Sequence, residues 1–261
     1  MQIRTPSTNS IAKYLFFFLA ICTTSLIYGQ TTVYTYKDIR VQPITHATFQ
    51  LWYGGKYYLV DPSVETSKLD ALAEPDYILY TDIHGDHFNP DNLKALKLKP
   101  TTVIIAPDAV QKLIAAQIPN KTSSVKVLAN GTSLQLGSVK IDAIPMYNLT
   151  PERLKFHTKG RGNGYVLHLG KSNVYISGDT EDIPEMRALK NIDLAFLCMN
   201  LPYTMDIDQA ASAALAFQPK VVIPYHYRGQ NGLSDVHVFQ QKVNAANPNI
   251  KVELLQWYPD N

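Results

Sequence analysis

Apolar runs of strand length recur along this chain between turn residues, and from residue 77 onward they alternate with stretches of helical period. Early strand patterns cover 39–44, 48–53 and 56–60. The last two are joined by Gly54-Gly55, a hairpin signal, and the third runs into Asp61-Pro62. Tyr77-Ile78-Leu79-Tyr80 is too short for a helix and reads as a buried strand, and Asn89-Pro90-Asp91 reads as a helix start. The pattern then predicts a helix over 89–98, a strand over 102–106, a helix over 108–116, and short strands over 125–128, 133–136 and 139–144 that read as antiparallel. The second half predicts strands over 164–169, 173–177, 194–198, 221–223 and 252–255, with helices over 184–189, 206–217 and 235–246. Two mixed sheets packed face to face with helices outside would bury such strands on both faces. The prediction is an α/β fold, an αββα sandwich in one domain.

The first thirty residues break the pattern. Arg4 and Lys13 precede an apolar run from Tyr14 to Ile21, followed by polar Thr23-Thr24-Ser25 and small Gly29. This is the layout of a secretory signal peptide over 1–29, leaving a domain over 30–261. The run is broken well short of the roughly 20 apolar residues a span needs, so no stable membrane span is expected after signal removal. Bulky Ile21 before Cys22 argues against a lipid anchor there. The expected location is secreted or periplasmic. Removal of the signal leaves Cys198 without a disulfide partner, and its apolar setting reads as a buried, inert thiol. A hydrophobic content of 46% suits a globular core. The formal charge of +2 argues against nucleic acid or an anionic membrane and for a small-molecule substrate.

Chemistry concentrates just past the strand at 77–80. Asp82, His84, Asp86 and His87 place two carboxylates and two imidazoles within six residues on a strand-to-helix loop, and both donor types bind first-row divalent metals. Two further strand ends add to the set: 173–177 runs into Gly178-Asp179-Thr180, and 221–223 continues through Pro224-Tyr225 to His226. Sites in open α/β sheets gather at the carboxyl ends of strands, where all three segments lie.

This ordered set resembles the metallo-β-lactamase superfamily, whose signature is His-x-His-x-Asp-His, then a further histidine, an aspartate in a Gly-Asp-Thr setting and a last histidine. Thr45-His46-Ala47, the stretch from Gly54 to Pro62, Ile144-Pro145-Met146-Tyr147-Asn148, Tyr203-Thr204-Met205-Asp206 and Pro224-Tyr225-His226 look like one branch of it, the hydrolases related to L-ascorbate-6-phosphate lactonases. The resemblance implies one or two divalent ions (Zn, Mn or Fe) on His84, Asp86, His87, Asp179 and His226. Asp179 would bridge, and Asp86 would both hold a metal and steer water, so these two are the expected catalytic residues. Asp82 stands where the family has its first histidine. Either it keeps the first site and biases it towards Mn or Fe, or it leaves a mononuclear site of Asp86, His87, Asp179 and His226. Tyr147-Asn148 fills the middle histidine's usual stretch, so His157, before the glycine-rich 160–164 loop, is assigned to the first site by similarity.

His46 reads either as packing or as a partner orienting a ligand carboxylate. His168 reads as an outward strand residue and His237 as part of a polar helix face. Tyr203, Arg161 and Arg228 are candidates for contact with an anionic substrate. No Gly-x-Ser-x-Gly elbow is present. The reading is a secreted hydrolase using metal-activated water on an ester, lactone or phosphoester. The alternative is a catalytically silent metal-binding protein that uses the same fold to bind a ligand or partner.

Overall fold

Strands β1 (Tyr34–Tyr36), β2 (Ile39–Thr45), β3 (Thr48–Tyr53) and β4 (Lys56–Val60) form an antiparallel meander, because short turns such as Gly54-Gly55 allow only reversal. After helix α1 (Thr66–Leu69), strand β5 (Tyr77–Leu79) joins β4 in parallel. Helix α2 (Pro90–Ala95) leads to β6 (Val103–Ala106), and α3 (Asp108–Gln117) to β7 (Val125–Val127), completing a seven-stranded sheet. The computed structural model describes residues 1–2 and 33–259. The signal peptide expected over 1–29 therefore lies, save its first two residues, outside the described residues, and Thr31–Asn261 forms one compact unit.

The second seven-stranded sheet begins with the antiparallel strands β8 (Ser133–Leu136), β9 (Val139–Met146), β10 (Gly162–Leu169) and β11 (Ser172–Ile176). Helix α4 (Pro184–Arg187), strand β12 (Leu194–Cys198), helix α5 (Ile207–Phe217) and strand β13 (Val221–Tyr225) follow. A small ribbon of β14 (Arg228–Gly229) and β15 (Gly232–Leu233), helix α6 (Val236–Ala246) and the edge strand β16 (Lys251–Val252) close the chain. β12 and β13 are buried at every position, as their unbroken apolar sequence requires of central parallel strands. Among the described residues no helix is long and apolar enough to cross a membrane.

The main core fills the space between the sheets, where Phe49 of β3 stacks on Phe196 of β12 with ring centroids 4.5 Å apart. A second core lies under the helices outside the first sheet, with Leu59, Ile78 and Ile104 against Leu93, Val110 and Ile114. The αββα sandwich is thus present. The 125–128 stretch does not join the antiparallel strands: β7 pairs in parallel with β6, because the α3 crossover returns the chain to that edge in the same direction. The last strand is shorter than 252–255, since the chain leaves the ladder after Val252 and turns Trp257 into the core. The 160–164 stretch is half strand: β10 starts at Gly162, where a Cβ would lie 2.8 Å from the Thr81 carbonyl oxygen.

Asp76, at the entry to β5, ties the first sheet together electrostatically. Its carboxylate takes Lys56 at 3.0 Å, Lys99 at 2.8 Å and the Tyr57 backbone N–H at 3.1 Å. Its partial burial opposes ionisation, but the Lys99 and Lys56 hydrogen bonds prevail and lower its pKa below the ordinary 3.8. A carboxylate with a depressed native pKa stabilises the fold above its unfolded pKa and loses that contribution as pH falls through the native one. Asp76→Ala is therefore expected to cost about 1–3 kcal/mol at neutral pH. In urea unfolding at pH 7 and at strongly acidic pH, the gap between variant and parent should shrink in acid.

Candidate metal centre

The loop after β5 turns tightly: the backbone N–H groups of His87 and Phe88 both donate to the His84 carbonyl, at 2.9 and 2.8 Å. Phe88 is buried edge-on against Tyr80, and Asn89 caps α2 by accepting from the N–H groups of Asp91 and Asn92. Both ends of the loop are thereby fixed. Asp82 and His87 are driven fully inside, while His84 and Asp86 stay near the surface.

The structure brings together all seven residues singled out as ligands. Asp82, His84 and His157 form one group with potential ligand atoms within 4.8 Å of one another; His87, Asp179 and His226 form a second, and Asp86 joins His226 and His46 in a third. Asp179, at the end of β11, lies between the first two. Its Oδ2 is 3.3 Å from His157 Nε2 and 3.4 Å from His87 Nε2, and its Oδ1 is 3.2 Å from His226 Nε2. Asp86 Oδ2 is 3.4 Å from His226 Nε2.

The hydrogen bonds on the far side of each ring decide what faces the centre. His87 Nδ1 meets buried Asp61 Oδ2 at 2.9 Å, and the Thr81 hydroxyl donates to that same carboxylate at 2.6 Å. With its proton on Nδ1, His87 presents a bare Nε2. His157 Nδ1 sits 3.2 Å from the Tyr203 carbonyl, which can only accept, so its Nε2 is also bare. That Nε2 and Asp179 Oδ1 are buried with no hydrogen-bond partner. Orphaned lone pairs converging on a carboxylate are costly unless a cation lies between them, so these residues fit a divalent metal.

Electrostatics shows the same demand for positive charge: where no ion supplies it, protons taken up on the bare imidazole nitrogens do. Burial disfavours ionised Asp179, yet the charges of His226 and His87 hold its carboxyl well below the carboxylate range. Burial likewise opposes a charged His226, but Asp179 and Asp86 push it up to about 9, and Asp179 and Asp61 raise His87 well above its usual value. Asp86 is held low, against burial, by hydrogen bonds from His226 and His46.

His46 takes the orienting role. Its Nε2 is 3.2 Å from Asp86 Oδ2, and its Nδ1 is 2.9 Å from the Tyr258 hydroxyl. His168 lies away from the centre, between Asp142 and Asn173 on the second sheet, and His237 is exposed. Cys198 is buried, and burial pushes its thiol up to about 11, as an inert thiol requires. Arg228 stacks over Tyr258 at 4.4 Å, and Arg161 is bound to Asp82. Tyr203 lines a cavity of about 300 Å³ together with His84, Asp86, Phe156, His157, Asp179 and Asn200.

Sequence reasoning passed over Asp61, reading it only as part of a turn. Its signal was the Asp-Pro end of an apolar strand next to the ligand loop. Its backbone has a φ of +42°, and His46 and His226 are also left-handed, at +53° and +47°. Non-glycine residues hold such geometry where the surroundings over-determine it. Asp61→Asn keeps the shape but removes the charge that fixes the His87 proton. Affinity for Zn²⁺, measured by competition with a chromogenic chelator, should fall about 10–100-fold while the circular dichroism spectrum is unchanged.

A model of the beta-lactamase superfamily domain matches residues 40–226. The UPF0173 metal-dependent hydrolase of Symbiobacterium thermophilum is 30% identical over 204 residues, covering 72% of this chain and 84% of its own. That of Ligilactobacillus salivarius is 32% identical over 193 residues, covering 70% and 82%. Among solved structures, a Parabacteroides distasonis protein provisionally named a metal-dependent hydrolase is 37% identical, with a TM-score of 0.75 over 88% of this chain and 99% of that one. A metallo hydrolase from Ignicoccus hospitalis, at 23% identity and a TM-score of 0.68, covers 83% of this chain and 94% of its own and shares the fold. Similarity of this extent, running from the early strands through His226, places the chain in the metallo-β-lactamase superfamily, within the UPF0173 family of metal-dependent hydrolases.

Proposed function

We propose that this hydrolase is exported and opens an ester, lactone or phosphoester bond of a small molecule with water activated at the Asp86, His87, Asp179 and His226 cluster. The observation that carries the reading is the convergence of bare imidazole nitrogens and ionised carboxylates on the floor of the cavity. Mixed imidazole and carboxylate donors suit Zn, Mn or Fe. When bound, such an ion supplies Lewis acidity, lowering the pKa of water from about 15.7 towards 7 and polarising the oxygen under attack.

The chain's own residues divide the remaining work by exposure. The Asp86 side chain is 41% exposed against 4% for Asp179, so Asp86 is the carboxylate an entering water meets. His46 and His226 keep Asp86 ionised and turned inward, ready to accept a hydrogen bond from that water and orient it. Asp179, enclosed by three imidazoles, holds the two groups of donors in register.

The cavity walls narrow the substrate. Phe156 and Tyr203 meet edge to face, 5.1 Å between centroids, and give the cavity an apolar part beside polar Asn200. Among the described residues no lysine or arginine lines the cavity, and Arg161 is already paired with Asp82. A dianionic phosphate would find no lysine or arginine there, which favours a neutral ester or lactone. Export rests on the N-terminal leader pattern.

Hydrolysis should be assayed on panels of lactones, carboxylic esters and phosphodiesters, after chelation and after metal is restored. The expected result is a metal-dependent rate on lactones or esters, lost in His87→Ala, with Asp86→Asn lowering kcat by about 10²–10⁴-fold. A folded, metal-loaded protein inert on all three panels would favour the ligand-binding alternative.

A further inference from the structure

The two halves of the centre differ in one respect that neither the family nor the proposed reaction accounts for. Asp82, fully buried, is gripped by a guanidinium: Arg161 donates from Nε to Oδ1 at 3.0 Å and from Nη2 to Oδ2 at 2.8 Å. This two-point fork matches the geometry of a carboxylate and occupies both of its oxygens. The same Nη2 donates to the Phe156 carbonyl and lies 3.4 Å from His84 Nε2, while His84 Nδ1 faces Asp82 Oδ2 at 2.9 Å. Both oxygens of Asp82 and His84 Nδ1 therefore have partners within this half, while His157 Nε2, 3.8 Å from Asp82 Oδ2, is left without one.

A guanidinium does not lose its proton in a protein, so its charge is permanent. It also stands on firm backbone. Asn163, two residues on, donates from its N–H to the Thr81 carbonyl at 2.9 Å, and Gly162 between them packs too closely against that carbonyl to accept a Cβ. In the other half the ion-pair partners of Asp86 and Asp179 among the described residues are histidines. Among the described residues no fixed cation serves that half, and Asp179 Oδ1 there is buried without a hydrogen-bond partner.

We infer that Arg161 is the resident cation of the Asp82 half, taking the place of a metal there, so that the centre holds a single divalent ion on Asp86, His87, Asp179 and His226. The inference rests on the reading that the centre binds metal at all. A second dication beside Asp82 would have to break the fork and sit within a few ångströms of a positive charge that cannot be titrated away. The carboxylate in place of the family's first histidine is then not a substitute ligand. It is the counter-ion of Arg161.

The test is metal stoichiometry. Full-length domain, stripped with chelator and reloaded with Mn²⁺, is freed of excess ion and counted by elemental mass spectrometry. Electron paramagnetic resonance of the same samples separates isolated Mn²⁺ from a coupled pair, and circular dichroism verifies folding. One ion per chain with an isolated signal is expected in the parent and in Asp82→Asn, about two with a coupled signal in Arg161→Met, and none in His87→Ala. Two ions in the parent, or a folded Arg161→Met that still holds one, would overturn the inference and leave the proposed hydrolysis standing. No ion in the parent would remove the metal-based reading itself, and this inference with it. The parent count decides the matter even if Arg161→Met fails to fold.

Discussion

The hydrogen bond between Asp61 and His87 is the constraint on which the centre depends. It joins the end of β4 to the loop that follows the neighbouring parallel strand β5, and it is wholly buried. Thr81 strengthens it by giving the same carboxylate both its backbone N–H, at 2.7 Å, and its hydroxyl. The proton thereby fixed on Nδ1 determines that Nε2 faces inward as a lone pair. That single choice sets what Asp179 and His226 meet across the cavity, and hence why the site demands positive charge. Without it, the same side chains would form an ordinary buried hydrogen-bond network.

Much of the fold was legible because its strands announce themselves. Leu194 to Cys198 has no polar residue, and only a strand covered on both faces tolerates that. The pairing of β7 was not legible. Three short strands separated by glycine turns look alike whether the chain stays in one sheet or changes sheets after the first, and only the α3 crossover distinguishes these cases. The ligand residues were legible by spacing and by their places at strand ends. Their supports were not: Asp61 lies 26 residues from His87, and Arg161 lies 79 from Asp82. Local pattern carries no record of such pairs. Arg161 read as a candidate substrate contact on a glycine-rich loop, whereas strand β10 begins at Gly162 and the guanidinium is committed to Asp82.

Three carboxylates at one centre are handled in three ways. Asp82 is buried and balanced by an arginine, Asp179 is buried and balanced by imidazoles, and Asp86 is left half in solvent under the hold of His46. Charge burial without compensation would unfold the protein, so each solution has a structural origin. The first depends on strand β10, the second on the ends of β11 and β13, and the third on Tyr258 anchoring His46. Asp86 is the one of the three whose compensation is shared between imidazoles and solvent.

The residues of this centre come from both sheets: Asp61, Asp82 and His87 from the first, Arg161, Asp179 and His226 from the second. Neither sheet alone presents a binding site. Whatever ion occupies the centre therefore binds only the docked sandwich, and by mass action it holds the two sheets together in proportion to its free concentration. Were the protein exported, as proposed, metal supply would then govern molecular lifetime as well as turnover. A chain starved of its ion would be removed as a substrate for proteolysis before it could accumulate as an idle enzyme.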